Sequence, residues 1–105
     1  MTRRFKAKID NNQLDIVNTL RAYPCVSVEV GHDDILVGYR GKTYWFEIKD
    51  ESAISKKTGD VKRSSITDSE SDRLMFYTGH YEMVWKVDQI LSSIDYAEWG
   101  FHGKT

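Results

Sequence analysis

The elements legible in this 105-residue chain run helix, three strands, helix, strand, helix, which predicts a single α/β domain with a mixed central sheet flanked by helices. Three observations carry the prediction. Two apolar, aromatic-rich runs flank Arg40-Gly41 with the alternation that a β-hairpin needs. Helix-start residues stand at Asp10, Thr67 and Asp88; apolar residues recur at helical spacing after the first and the last, and Glu70 completes a capping box with Thr67. Residues 25–30 and 81–86 alternate as strands do. With 40% hydrophobic residues, a chain of this length builds one core, and a second domain is excluded.

Taken in order, residues 1–8 carry Arg3, Arg4, Lys6 and Lys8 and read as a basic N-terminal arm. Asp10 reads as an N-cap with Gln13 at N3, and Ile9 with Leu14 forms the accompanying hydrophobic staple. The first helix therefore starts at Asp10. Leu14, Ile16, Val17 and Leu20 give it an apolar face, and Pro24 closes it. Cys25 opens the first strand; with no histidine or second cysteine nearby in sequence, it reads as a small core residue. His32 has no spaced partner histidine and reads as structural or as surface.

The hairpin follows. A two-residue turn at Arg40-Gly41 places Tyr39 opposite Lys42 and, further along the ladder, Asp34 opposite Glu47. Opposed residues share a face of the sheet, as do Glu47 and Lys49 two positions apart, so Asp34, Glu47 and Lys49 converge. Ile35, Val37, Tyr44 and Phe46 fall on the other face, an apolar set suited to burial. A slip by one residue would expose that set and separate the carboxylates, so both criteria select one register.

After Lys49 a polar stretch, residues 52–65, lacks apolar periodicity and carries Lys56, Lys57, Lys62 and Arg63 around Gly59. It reads as a flexible basic loop, and a loop this long beside a site is a candidate contact for a polyanion. Thr67 and Glu70 form a second capping box, predicting a helix over 68–77 that stops by Gly79. A strand over 81–86 and a last helix capped by Asp88, with Ile90, Leu91 and Ile94 inward, complete the domain. The tail 98–105 carries Trp99 and Phe101.

Two carboxylates opposed on neighbouring strands repel. At about 5 Å and an effective dielectric of about 20 the cost is roughly 3 kcal/mol, which a bound divalent cation reverses. Mg²⁺ suits such a site because it takes oxygen ligands and binds through one or two carboxylates plus substrate phosphate. Lys49 can then orient a water or stabilise charge developing on phosphate.

Asp34 followed by Glu47-Ile48-Lys49 resembles the signature of the PD-(D/E)XK nuclease superfamily. Within it the chain resembles small phage-type proteins of the VRR-NUC branch over roughly residues 8–92. It reads Asp10-Asn11-Asn12-Gln13, then Gly31 to Asp34, then Glu47 to Lys49, then Ile66-Thr67-Asp68-Ser69-Glu70. It departs from that pattern at Asp33, where the family has proline, and at Glu70, where it has glutamine. The resemblance implies a restriction-endonuclease-like α-β-β-β-α-β-α core in which the last strand joins beside the Glu-x-Lys strand through a crossover helix. It also implies a Mg²⁺- or Mn²⁺-dependent endonuclease acting on DNA, with Asp34, Glu47 and the Ile48 carbonyl as ligands, Lys49 catalytic and Gln13 accessory. Small members of this branch are expected to pair, so a homodimer is the expected assembly, with Trp85, Trp99 and Phe101 as candidate contacts. The reading from another class is a catalytically silent nucleic-acid-binding or interaction module with the same fold.

Fifteen basic against 16 acidic residues leave a net charge of −1, so composition alone selects no polyanionic partner and charge placement must decide. A single cysteine forms no internal disulfide, and neither a membrane span nor a signal-peptide core is visible. The expected location is the cytoplasm of a bacterial or phage-infected host cell. No base-reading motif is visible, which leaves duplex, branched and single-stranded DNA all open as substrates.

Overall fold

A computed structural model describes the backbone of residues 2–96 and the side chains of residues 12–96. Trp99 and Phe101, the tail residues expected at a dimer contact, lie outside the described residues. The element order is α1 (Thr2–Arg21), β1 (Ser27–Val30), β2 (Asp34–Tyr39), β3 (Lys42–Ile48), α2 (Asp68–Phe76), β4 (Tyr81–Val84) and α3 (Val87–Ser93), with short 3-10 turns at Glu51–Ala53 and Arg63–Ser65. The fold is α/β with a mixed four-stranded sheet in the order β1-β2-β3-β4. The first three strands are antiparallel and β4 lies parallel to β3.

The hairpin forms in the expected register, with Asp34 opposite Glu47 and Tyr39 opposite Lys42. Arg40 (φ 53°) and Gly41 (φ 79°) both take the left-handed conformation of a two-residue hairpin turn, whose twist matches that of the strands it joins. One face of the sheet contributes Val28, Ile35, Val37, Phe46, Ile48 and Val84 to the core. Against it pack Ile16, Val17 and Leu20 of α1 and Ile90, Leu91 and Ile94 around α3. Phe46, Leu20, Ile35, Ile90 and Leu91 are fully buried, each contributing roughly 1.5–3 kcal/mol of transfer free energy. The opposite face is covered only in part, by α2 packed on β4.

Several sequence expectations need correction. Asp10 is not an N-cap, because α1 runs on upstream to Thr2. Residues 2–8 contain no glycine or proline and are rich in helix-forming Arg, Lys and Ala, so nothing stops the helix at Asp10. Leu14, expected on its buried face, is 54% exposed. Cys25 is exposed, not core. It turns the chain with φ 66° after Pro24, and β1 begins two residues later than the alternation suggests. Trp85 stands just beyond β4, because its N–H donates to Gln89 Oε1 at 2.7 Å. The N-cap of α3 is Lys86, not Asp88; the Gln89 carboxamide accepts the Lys86 N–H at 3.0 Å and Asp88 falls in the first turn.

Residues 52–65 are folded on themselves. Ile54 pairs with Val61, Ser55 N–H donates to Asp60 O at 2.8 Å, and Lys62 N–H donates to Ala53 O at 2.7 Å. Among the described residues no helix is long and apolar enough to cross a membrane.

Candidate active site

The partly covered sheet face carries the predicted residues. Asp34 begins β2 and Glu47 stands opposite it near the end of β3. The Asp34 carboxylate is oriented by the Trp45 indole, which donates to Oδ2 at 2.7 Å. Glu47 Oε1 accepts from the Tyr81 hydroxyl at 3.2 Å. Tyr81 is opposite Trp45 in the parallel β3–β4 ladder, so one strand pairing supplies the hydrogen-bond donors for both carboxylates.

Gly31 makes the approach to Asp34 possible. A Cβ at residue 31 would overlap the Asp34 carboxylate, and the Gly31 N–H donates to Asp34 O at 2.8 Å. The neighbouring Asp33 takes no part. Its carbonyl accepts the Ile48 N–H at 2.9 Å, while its exposed side chain meets His32 Nδ1 at 3.0 Å.

Lys49 follows β3 and is mostly buried. Its Nζ donates to Glu70 Oε1 at 2.9 Å and to Ser65 O at 2.8 Å. Glu70 does two things at once. As N3 of α2 it accepts the Thr67 N–H at 3.0 Å while Thr67 Oγ1 accepts its own N–H, and the same carboxylate neutralises Lys49. The capping box therefore fixes where α2 starts and also where a counter-charge sits beside Glu-x-Lys.

Burial drives the Glu47 carboxyl up to about 7, helped by its hydrogen bond with Glu70 and by that residue's charge; Tyr81 and Lys49 pull the other way without prevailing. Burial also works upward on Glu70, but the hydrogen bonds from Lys49, from the Thr67 backbone and from Glu47 hold it below the ordinary carboxylate value. A proton shared by the pair thus resides on Glu47. Tyr81 is pushed up to about 12 by burial and by the Glu47 charge, so it remains a donor.

Arg73, one helical turn after Glu70, was not singled out by the sequence reading. Its guanidinium lies 4.6 Å from the centre of the Trp45 ring and 5.2 Å from that of Tyr81, and donates to the Tyr81 hydroxyl at 3.3 Å. The i, i+3 spacing from Glu70 was the available signal, since it places both on one face of α2. Tyr81 and Trp45 carried no such signal, because their contacts depend on how β4 joins the sheet.

Gln13 reaches the site through the backbone, with Nε2 3.4 Å from Gly31 O and 3.5 Å from Asp34 O. Asn12, also unanticipated, donates to Lys49 O at 2.9 Å. Ile48 is packed in the core through its side chain. Lys56, Lys57, Lys62 and Arg63 are exposed on the loop that leaves Lys49 and returns to it at Ser65.

The donor set suits a hard divalent cation. Two carboxylates on adjacent strands, one of them buried and holding a proton that a cation could replace, are all-oxygen ligands of the kind Mg²⁺ and Mn²⁺ take. Among the described residues no set of three or more His, Cys, Asp or Glu side chains is arranged around a common metal position, so further ligands would be a backbone carbonyl, water or substrate. No protein family, curated protein or solved structure matches the chain.

Proposed function

We propose that the protein is a metal-dependent endonuclease that hydrolyses DNA phosphodiester bonds, a diverged PD-(D/E)XK protein of VRR-NUC type on a restriction-endonuclease-like core. The observation that carries this reading is the cross-strand pair Asp34–Glu47 with Lys49 beside it, on a sheet face that α2 covers only in part. Asp34, Glu47 and the Ile48 carbonyl would hold Mg²⁺ or Mn²⁺. When bound, the cation supplies a water of lowered pKa and neutralises charge on the phosphate.

The chain's own groups do the rest. Trp45 holds Asp34 in one orientation, and Tyr81 does the same for Glu47. Lys49, steered by Glu70 and Ser65 O, presents its ammonium beside Glu47, where it can orient the attacking water and offset charge on the phosphate oxygens. Arg73, stacked on Trp45, adds a second cation on the same face. Gln13 keeps the start of β2 in place and has no assigned part in proton transfer.

The test is to incubate the purified protein with supercoiled, linear, flap and four-way DNA, with and without Mn²⁺. Cleavage that requires the metal is the expected result. A second reading, a silent nucleic-acid-binding or interaction module, draws on Lys49 already being bonded to Glu70 and Ser65. Under that reading Mg²⁺ and Mn²⁺ leave the melting temperature unchanged, whereas a nuclease site gains stability from its ligand.

Three further results are expected. Asp34→Asn should abolish cleavage and Asp33→Asn should spare it, since only Asp34 shares the face of Glu47; the reverse outcome would refute the assignment. Replacing Lys56, Lys57, Lys62 and Arg63 together by alanine should weaken DNA binding across sequences and flatten its salt dependence, by up to about 0.9 in log–log slope for each phosphate no longer neutralised. A slope equal to the parent's would assign all four to solvent.

The protein is also proposed to work as a homodimer. Leu74, Met75 and Phe76 at the end of α2 leave large apolar surface open, with Met75 and Phe76 each about 70% exposed. Light scattering at micromolar concentration should give twice the chain mass; a monomer mass with and without DNA would reject the pairing.

A further inference from the structure

We propose that a groove beside Asp34 receives an unstacked nucleobase, so that the preferred substrate has unpaired bases at the point of cleavage. This rests on the nuclease reading above. The groove, about 430 Å³, lies over the β1–β3 part of the sheet and is bordered by Glu29, Gly31, Asp34, Leu36, Trp45 and Tyr77. Asp34 belongs both to the groove and to the carboxylate pair, and its Oδ2 is held by the indole that forms one wall. Whatever enters is therefore adjacent to the proposed point of hydrolysis.

Charge says which part of a nucleotide that is. Among the described residues the charged side chains bordering the groove are Glu29 and Asp34, both acidic; with Asp34 given to the metal, Glu29 is the one that meets an incoming nucleotide as a bare charge. A phosphate would be drawn to the metal at the Asp34 end and repelled from the Glu29 end. The neutral base would not be repelled, and the amino groups on its edge can donate to a carboxylate. The walls suit its faces: Trp45 and Tyr77 meet edge to face at 5.2 Å and 87°, and Tyr77 and Leu36 are 49% and 42% exposed, a cost in water that a stacked base would remove. The cation lies outside the groove lining, where Arg73 stacks on the Trp45 ring and could meet the backbone of the same strand. An acidic aromatic slot next to a cation thus separates base from phosphate. Continuous duplex offers no free base and would have to be unstacked first.

The experiment is fluorescence anisotropy with labelled single-stranded DNA, single-stranded RNA and duplex DNA of one sequence, in Ca²⁺, for the parent, Tyr77→Ala and Leu36→Ser, with the fold of each variant checked by its melting temperature. The expected result is that the parent prefers a single strand to duplex, that Tyr77→Ala weakens single-strand binding roughly tenfold, Leu36→Ser less, and that neither changes duplex binding. Whether DNA or RNA shows the Tyr77-dependent affinity identifies the strand. Single-strand affinities equal to the parent's in both variants would overturn the proposal. So would light scattering in which Tyr77→Ala turns a dimer into a monomer, since the groove would then be covered by a second copy. Absence of Mn²⁺-dependent cleavage of any DNA would defeat the nuclease reading and leave this binding result standing. Conversely, cleavage that ignores Tyr77 would defeat only the groove.

Discussion

Glu47→Gln and Lys49→Ala should each lower metal-dependent DNA cleavage by at least about a thousandfold, the scale on which a charge aimed at the transition state operates in a water-poor site. The two losses have different physical origins, and stability separates them. Glu47 is buried and carries the proton it shares with Glu70, so an amide fits its surroundings and can still donate to that carboxylate. Glu47→Gln should fold at least as well as the parent. Lys49→Ala instead strips the cation from Glu70, whose side chain is only 11% exposed. Breaking such a pair from one side should cost about 3 kcal/mol or more, so its assay belongs well below its melting temperature. Either variant cleaving at the parent's rate while folded would remove the residue from the mechanism.

Without metal, the parent should lose stability relative to Glu47→Gln as pH rises. An ordinary glutamate titrates at 4.5, and in the folded chain Glu47 titrates at about 7, because burial and Glu70 disfavour its charge. Between those values the folded state keeps a proton that the unfolded chain has released. The favourable contribution is complete below about pH 4.5 and disappears as pH passes through about 7. The difference between variant and parent should therefore be small near pH 4.5 and reach on the order of 3 kcal/mol above pH 7. Thermal unfolding in chelator across that range measures it, and a pH-independent offset would contradict the assignment. Glu70 has the opposite sign, since it is held low and stabilises more as pH rises; part of that lowering comes from Glu47, so the comparison of variant with parent reads the titration of the pair.

What the sequence made legible is what local rules determine. The hairpin register follows from a two-residue turn and an alternation with one buried face, both contained within Asp34 to Ile48. The start of α2 follows from Thr67 and Glu70, three residues apart. Reading failed where the deciding partner is distant or where no stop signal is encoded. The upstream end of α1 has no breaker, so the capping pattern at Asp10 was a false start. Cys25 alternates with the strand that follows it, but its positive φ belongs to the turn out of α1. The donors that orient the carboxylates, Trp45 and Tyr81, meet only because β4 adds parallel to β3. Glu70 was visible as a cap, and its second partner, Lys49, lies 21 residues away.

The two amides of α1 have a consequence for the order in which the molecule comes apart. The turn end of the hairpin is closed covalently by Arg40-Gly41, whereas its open end, where Asp34 and Lys49 sit, is tied across by Gln13 and Asn12 from a helix remote in sequence. The helix thus acts as a splint over the mouth of the hairpin. Undocking it releases both flanks of the carboxylate pair together while the turn end of the ladder stays intact. The carboxylate pair therefore belongs to the least local part of the fold, and hydrogen exchange should show its flanks opening more readily than the turn end of the ladder.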